Sequence, residues 1–130
     1  MKRLIFSLIV VLTFSFSMNG QRILRPLPLL DTCANTGSSE HVITVSGTYN
    51  NGVFQHVGTK ISGTVAGKTY LYGSVDNVNY VKLDSFTNTD ITTNTKIFTQ
   101  TRPMYPYYKI GSTGTGTMSM QTKAYAHFKN

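Results

Sequence analysis

Apolar and polar residues alternate along most of the chain after residue 40, with breaks at short turns that contain glycine or asparagine. This alternation is typical of strands with one buried face, because successive side chains of a strand point to opposite faces. In the clearest example, residues 61–83, three strands are separated by turns at Ala66-Gly67 and Asp76-Asn77. We therefore predict an antiparallel meander here, and we expect the rest of the domain to be organised around it.

The same pattern predicts further strands on both sides of the meander. Asn51-Gly52 is a strong hairpin signal, because these residue types adopt the backbone angles of a two-residue turn. A polar loop is predicted over residues 85–95 and a glycine-rich turn over residues 112–116. The predicted strands are residues 41–46, 53–57 with a continuation over 60–65, 69–73, 79–83, 96–101, 107–111 and 117–128. About seven or eight strands indicate a sandwich or small barrel, and we predict an all-β, antiparallel β-sandwich of the jelly-roll or Ig-like kind.

The first 20 residues have a different pattern. Lys2 and Arg3 precede an apolar stretch over residues 4–16, and small and polar residues follow, as in a secretory signal peptide. As a helix the stretch would span about 21 Å, less than the ~30 Å hydrocarbon core, which favours a removable leader over a membrane span. Cleavage is expected after Ser17 or after Gly20.

Residues 21–39 predict an extended arm, because Pro26 and Pro28 exclude a helix interior. The arm carries apolar residues that need a contact surface: Ile23, Leu24, Leu27, Leu29 and Leu30. We favour packing along its own domain as an edge strand over strand addition to a neighbouring subunit. The predicted organisation is thus a leader (1–20), an arm (21–39) and a β-sandwich domain (40–130).

Composition and charge narrow the choice of partner. Charged residues make up only 13%, and the net charge of +7 is spread without blocks of lysine or arginine, so we expect no nucleic-acid binding. A mildly basic surface suits an acidic protein or a glycan. The single cysteine, Cys33, excludes an internal disulfide and a structural zinc site. We favour an inert thiol over an intermolecular disulfide.

The titratable residues show no catalytic pattern. The acids are Asp31, Glu40, Asp76, Asp84 and Asp90, and the histidines are His41, His56 and His127. No two acids have a pattern that supports a pair of facing carboxylates, and no serine or threonine has the setting of a nucleophile. The histidines would meet only if the first and last strands pair, and we expect them to be surface residues. We therefore predict no enzymatic activity, no metal and no cofactor.

Four tyrosines are candidate contacts for a glycan or a protein partner. Tyr70 and Tyr72 share one face of a predicted strand, and Tyr105 and Tyr107 share the same parity. Aromatic rings beside asparagine and threonine can stack on a sugar ring. The alternative, which we favour, is that the rings cover a core or a subunit interface while their hydroxyl groups stay exposed to water. The loop over residues 85–95 either carries specificity or is simply mobile.

Residues 73–83 resemble a motif of small β-sandwich proteins in the virions of tailed phages, G-S-x-D-[GN]-x-x-[WY]-x-x-L. The matching residues are Ser74, Asp76, Asn77, Tyr80 and Leu83. Asn77 stands where glycine is usual and Tyr80 where tryptophan is usual. Flanking similarities are Ser62-Gly63-Thr64 upstream and Gly114-Thr115-Gly116 downstream. The resemblance implies a non-catalytic virion component: a decoration, fibre or tail-associated domain.

The motif residues also have a purely structural explanation. The Asp76 carboxylate can cap its own turn, and Asn77 tolerates a positive φ. Tyr80 and Leu83 are then expected to fill the end of the core. We therefore interpret the motif as a folding device.

Two functions follow from these observations. The favoured one is a structural phage virion protein that forms a homo-oligomer, or binds other structural proteins, through its arm and sheet. The alternative is a secreted bacterial cell-surface or carbohydrate-binding adhesion module, which the leader favours and which would expose one tyrosine pair. The corresponding locations are the virion and the secreted or cell-surface compartment.

Overall fold

The computed structural model describes the backbone of residues 23–26 and the complete residues 30–130. These residues form nine β-strands: β1 (Ile23–Pro26), β2 (Asp31–Ala34), β3 (Ser38–Thr44), β4 (Asn51–Gly63), β5 (Gly67–Ser74), β6 (Val81–Thr87), β7 (Thr93–Thr101), β8 (Tyr107–Gly114) and β9 (Met118–Lys129). Within this part of the chain, no helix is long and apolar enough to cross a membrane.

The strands form two antiparallel sheets packed face to face. In the five-stranded sheet the order is β1, β9, β4, β7. Strand β2 also pairs with β9, along the part of that strand that precedes the part paired with β1. In the four-stranded sheet the order is β3, β8, β5, β6. The prediction of an all-β, antiparallel sandwich is confirmed.

The core lies between the two sheets and is built from the inward positions of the alternating pattern. Along β9 every second residue from Met118 to Phe128 is buried. Ala124 and Ala126 on this strand leave room for the large rings that reach them from β4 and β8. The Phe54 and Tyr108 rings lie 4.5 Å apart between centroids, and Phe54 meets Phe128 edge-on at 5.5 Å. Such aromatic pairs each contribute about 0.5–1.5 kcal/mol beyond the burial of their surface.

The predicted meander over residues 61–83 is wrong in one respect. Residues 61–63 end β4 in the five-stranded sheet, whereas β5 belongs to the four-stranded sheet. The chain therefore crosses between sheets at residues 64–66, and only β5 and β6 form a hairpin. Alternation shows that one face of a strand is buried, and it is silent about which sheet the strand joins.

The hairpin turn predicted at Asn51-Gly52 is also wrong, because both residues lie within β4. Strands β3 and β4 belong to different sheets, so the connection between them is a crossing. Gly52 is required by packing instead. A Cβ there would lie 2.9 Å from Pro103 Cγ and 3.2 Å from the Phe128 ring.

The predicted continuation of the strand beyond residue 57 is present, since β4 is unbroken to Gly63. The irregularity expected near Gly58 lies instead between Lys60 and Ser62, where the register with β9 shifts. Gly58 makes room for a side chain of β9: a Cβ there would lie 2.5 Å from Met120 Sδ.

The arm pairs with its own domain. Both β1 and β2 are hydrogen-bonded to β9, which is the edge-strand arrangement. Leu30 is 57% exposed. Leu27, Leu29, the side chains of Ile23 and Leu24 and the leader over residues 1–20 lie outside the described residues.

Cys33 in β2 is fully buried, and its thiol donates to the Gly37 carbonyl oxygen at 3.3 Å. Burial raises the pKa of this thiol. A buried, protonated thiol does not suit the intermolecular disulfide considered from the sequence.

Candidate functional site

The outer face of the four-stranded sheet carries a cluster of aromatic and charged side chains. Tyr70 and Tyr72 lie side by side on β5, half-buried, with ring centroids 5.7 Å apart and ring planes at 40°. In the register of the sheet, Tyr72 lies between Lys82 of β6 and Lys109 of β8. With Tyr80 and Glu40, these residues form what we call the tyrosine–lysine face.

Two lysines hold their charges against the rings of this face. Lys109 Nζ lies 4.6 Å from the Tyr80 ring centroid and 5.3 Å from that of Tyr72. Lys82 Nζ lies 5.3 Å from the Tyr70 centroid. Each exposed cation–π contact contributes about 0.5–1 kcal/mol. Lys109 also pairs with Glu40, at 2.9 Å between Nζ and Oε1.

Gly111 forms the floor of the face between β5 and β3. It pairs with Tyr70 on one side and with Glu40 on the other, and it has no side chain to fill the space between them. A Cβ there would lie 3.4 Å from the Tyr72 ring and 4.0 Å from Glu40 Cγ. The result is a shallow surface made of backbone, ring edges and charged groups.

The tyrosine hydroxyl groups of the face are neutral donors at neutral pH. Burial raises the pKa of Tyr72, the neighbouring Tyr70 raises it further, and the Lys109 charge opposes both effects. Burial likewise raises the pKa of Tyr80, against the opposing charge of Lys109. The face therefore offers aromatic rings, hydroxyl donors and ammonium groups together.

The Asp76 loop, residues 75–80, borders this face. The Asp76 carboxylate accepts hydrogen bonds from the Ser74 hydroxyl, from the backbone N–H groups of Val78 and Asn79, and from the Asn79 side chain. These bonds, first among them that from the Asn79 backbone, hold the pKa of Asp76 well below its usual range. Asn77 has a φ of 61°. Both features are as expected for a capped turn.

Tyr80 differs from the prediction. It lies in the loop before β6, and its hydroxyl donates to Asn77 Oδ1 instead of filling the end of the core. Leu83 does pack against the core. The two-residue turn expected at Asp76-Asn77 is a longer loop, and this extra length carries Tyr80 to the outer face.

Tyr105 and Tyr107 are not a pair on one strand. Tyr107 begins β8 on the outer side, whereas Tyr105 precedes the strand and packs on Gly73, where a Cβ would lie 2.5 Å from the ring. Tyr105 lines two clefts, of about 370 and 270 Å³, at this end of the sandwich. The main polar group of the larger cleft is the Asp76 carboxylate, which already accepts four hydrogen bonds. The cleft therefore offers a ligand few free polar groups.

The loop predicted over residues 85–95 is shorter and is tied down. Strand β6 continues to Thr87 and β7 begins at Thr93. Asn94 makes three hydrogen bonds to Thr89, at 2.8–3.1 Å. Asp90 accepts from Lys60 Nζ and from the Val65 backbone N–H, both at 2.8 Å. The loop is therefore shorter than predicted, and these contacts attach it to the neighbouring strands.

Two of the three histidines are buried, contrary to the prediction. His41 is 4% exposed and His56 is 0% exposed, between the two sheets. His127 lies half-buried at an outward position of β9, so the three do not meet. The sequence contains the signal: His41 lies two residues before Ile43 and His56 two residues after Phe54, on the same inward parity as these core residues.

His56 belongs to a directed chain of buried hydrogen bonds. The Thr69 hydroxyl donates to Asn88 Oδ1 at 3.1 Å, so it must accept from the Ser112 hydroxyl, 2.7 Å away. Ser112 in turn accepts from His56 Nε2, at 3.1 Å. This order assigns the proton of the neutral imidazole to Nε2 and leaves Nδ1 as an acceptor.

The two ends of this chain lack partners among the described residues. They are His56 Nδ1, an acceptor, and Asn88 Nδ2, a donor, both buried. A second buried group, Ser39, His41 and Thr122, is linked by bonds of 3.0 Å.

Comparisons with known proteins give a likeness of fold. No family model matches the chain, and no curated protein matches it. The chain is similar in structure to the enzymatically active domain of tailspike protein 4 of bacteriophage CBA120, with a TM-score of 0.55 and 9% identity. That match covers 83% of this chain and 19% of the tailspike chain.

Two further similar structures have lower scores. A family 16 carbohydrate-binding module has a TM-score of 0.45 and 10% identity over 70% of each chain. A protein of the disulfide-linked pili of Bacillus endospore appendages has a TM-score of 0.46 and 12% identity over 86% of this chain and 92% of its own. At 9% identity the tailspike match shows a likeness of fold alone. The two packed antiparallel sheets of the structure make this chain an antiparallel β-sandwich.

Proposed function

We propose that this chain is a non-catalytic binding module that attaches to a carbohydrate surface through the tyrosine–lysine face. One observation carries the proposal: Tyr70 and Tyr72 stand side by side on the outer face of the four-stranded sheet, with hydroxyl donors and ammonium groups around them. Adjacent rings can stack on sugar rings, and the polar groups can bind hydroxyl groups. The alternative, that these rings fill the core of the chain, is not supported by their outward position.

The buried polar groups do not offer a competing catalytic site. Ser112 and His56 form a hydroxyl–imidazole pair, but their side chains are 1% and 0% exposed between the sheets. A substrate would have to separate the sheets to reach them. This enclosure supports a non-catalytic role.

The test is binding to a glycan array by the purified domain and by Tyr70→Ala and Tyr72→Ala variants. We expect the wild type to bind a defined set of glycans, and each variant to bind about fivefold more weakly, since an aromatic contact contributes on the order of 1 kcal/mol. Tyr125→Ala is the matched control, because Tyr125 is half-buried at an outward position of β9 in the other sheet. The absence of any hit with folded wild type contradicts the proposal, as does equal loss in the control.

A second candidate is a structural virion component that assembles through the five-stranded sheet. Strand β7 is an unpaired edge of this sheet within the described residues, and Ile97 on it is 56% exposed. An exposed edge strand can pair with another chain. The resemblance of residues 73–83 to phage virion proteins supports this candidate, and a monomeric mass in light scattering at high concentration would contradict it.

The location follows from the same alternatives. The signal-like pattern of residues 1–20 supports a secreted or cell-surface protein for the binding module. The structural candidate would place the chain in a virion.

A further inference from the structure

We infer that the carbohydrate recognised by the tyrosine–lysine face is acidic, carrying carboxylate or sulfate groups. This inference rests on the proposed function and adds the chemical class of the ligand. It is carried by the charges around the two central rings.

Positive charge outweighs negative charge on this face. Lys109 lies on β8, Lys82 lies on β6, and Lys68 lies on β5 at the same outward parity as Tyr70. Glu40 on β3 carries the opposite charge. Three positive charges and one negative charge leave an excess of two. Asp84 on the edge strand β6 is exposed next to the register shift, and counting it leaves an excess of one.

Asp76 lies at the border of the face and stays ionised, because the four hydrogen bonds of its own loop hold its pKa well below the usual range. Its charge acts on Tyr80, whereas the groups that shift the pKa of Tyr72, besides burial, are Tyr70, Lys109 and Glu40. Asp76 therefore offsets the positive charge at the Tyr80 border of the face and not at Tyr72.

The position of Lys82 is the most informative. It is exposed, its Nζ lies 5.3 Å from the Tyr70 centroid, and it has no ion pair with a carboxylate among residues 30–130. A sugar ring stacked on Tyr70 would replace this cation–π contact and leave the ammonium beside the sugar, within reach of an acidic group on it. A neutral sugar would leave the charge unused.

Lys109 is the second cation, and its partner Glu40 lies on the solvent side of the pair. The Glu40 side chain is 54% exposed, whereas the Lys109 side chain is 17% exposed. An anionic ligand therefore reaches Lys109 from the side that Glu40 occupies, and it would take the place of Glu40 there. Glu40 keeps Lys109 between Tyr72 and Tyr80 until the ligand arrives.

The experiment compares polymers that differ only in charge. The probes are polygalacturonate and its fully methyl-esterified form, and dextran sulfate and dextran, with polyglutamate as an acidic polymer without sugar rings. Binding is measured by biolayer interferometry at low and high salt. We expect one or both acidic sugars to bind at least about tenfold more tightly than their neutral counterparts and than polyglutamate, with the difference reduced at high salt.

Two variants separate charge from packing. Lys82→Gln keeps the aliphatic stem, and we expect it to weaken acidic binding about fivefold, while Lys82→Arg restores it. Lys123→Gln removes the same charge from the outer face of the other sheet. It should change neither the affinity for the acidic sugars nor that for the neutral ones. Equal binding of acidic and neutral sugars that is lost in Tyr70→Ala overturns the inference and leaves the proposed function standing. Equal binding of polyglutamate overturns the sugar-specific inference, and no binding to any polymer or array glycan overturns both.

Discussion

The fold should lose stability in mild acid, because His56 is buried in its neutral form. Burial, and to a smaller extent the nearby His41, lower the pKa of His56 to about 4 in the folded protein. In the unfolded chain the ordinary value is about 6.5. Above that pH both states are neutral and stability is complete. Between about pH 6.5 and 4, His56 binds a proton in the unfolded state but stays neutral in the folded state. The free energy of unfolding therefore falls as pH falls.

The magnitude follows from the two pKa values. A difference of about 2.5 units, at 1.36 kcal/mol per unit, corresponds to a loss of about 3 kcal/mol. This is a large share of the ~5–15 kcal/mol typical of a domain. The hydrogen bonds of His56 agree with this shift: protonation would turn the buried Nδ1 into a donor that has no acceptor among the described residues, while Nε2 already donates to Ser112. Burial also lowers the pKa of His41, which adds a loss of the same sign.

The assay is urea unfolding at several pH values between about 7 and about 4, with wild type, His56→Gln and His127→Gln. Glutamine cannot titrate here, so we expect His56→Gln to be less stable at neutral pH but to lose about 3 kcal/mol less on acidification than wild type. His127→Gln should retain the wild-type slope, since His127 lies outside the core. A wild-type free energy of unfolding that is unchanged across this range would refute the reasoning, and so would a full slope in His56→Gln.

Two further predictions concern packing and buried hydrogen bonds. Gly73→Ala should destabilise the fold by about 1–3 kcal/mol, because the new Cβ would press on the Tyr105 ring, whereas Gly111→Ala meets ordinary contact distances and should cost less. Thermal unfolding of both variants checks this, and an equal loss would contradict it. Thr69→Val keeps the shape but removes a hydroxyl from the middle of the buried chain, so about 1–3 kcal/mol should be lost. The same change at the exposed Thr113 is the control, and a neutral Thr69→Val in urea unfolding would disprove the bonding scheme.

The strands themselves were largely predictable from the sequence, because alternation records which side chains face the core. Strand β9 is the clearest case, with every second residue buried. The pairing of strands was not predictable from the same signal. Asn51-Gly52 has the chemistry of a hairpin turn, yet it lies inside β4 because the chain crosses to the other sheet before it.

The candidate site was predictable only in part, because alternation does not show which strands pair. Parity placed Tyr70 and Tyr72 on one face, and the structure shows them there. Their lysine neighbours come from other strands, so the register had to be known first. Lys109 lies on β8, far along the chain, and Lys82 reaches Tyr72 only through a register shift between β5 and β6.

The buried polar groups and the tyrosine–lysine face are linked through the two central strands of the four-stranded sheet. On β5 and β8, Thr69 and Ser112 are register partners that point inward and share a hydrogen bond of 2.7 Å. In the same register, Tyr72 and Lys109 are outward partners. A slip of β5 by one residue would turn its own side chains to the opposite faces, leaving the Thr69 hydroxyl in water, Ser112 without this partner and Tyr72 directed at the core. The cost of that error is highest for polar pairs that are satisfied only in one register. The buried bond thus fixes the alignment of β5 and β8, and this alignment sets the position of Lys109 relative to the rings.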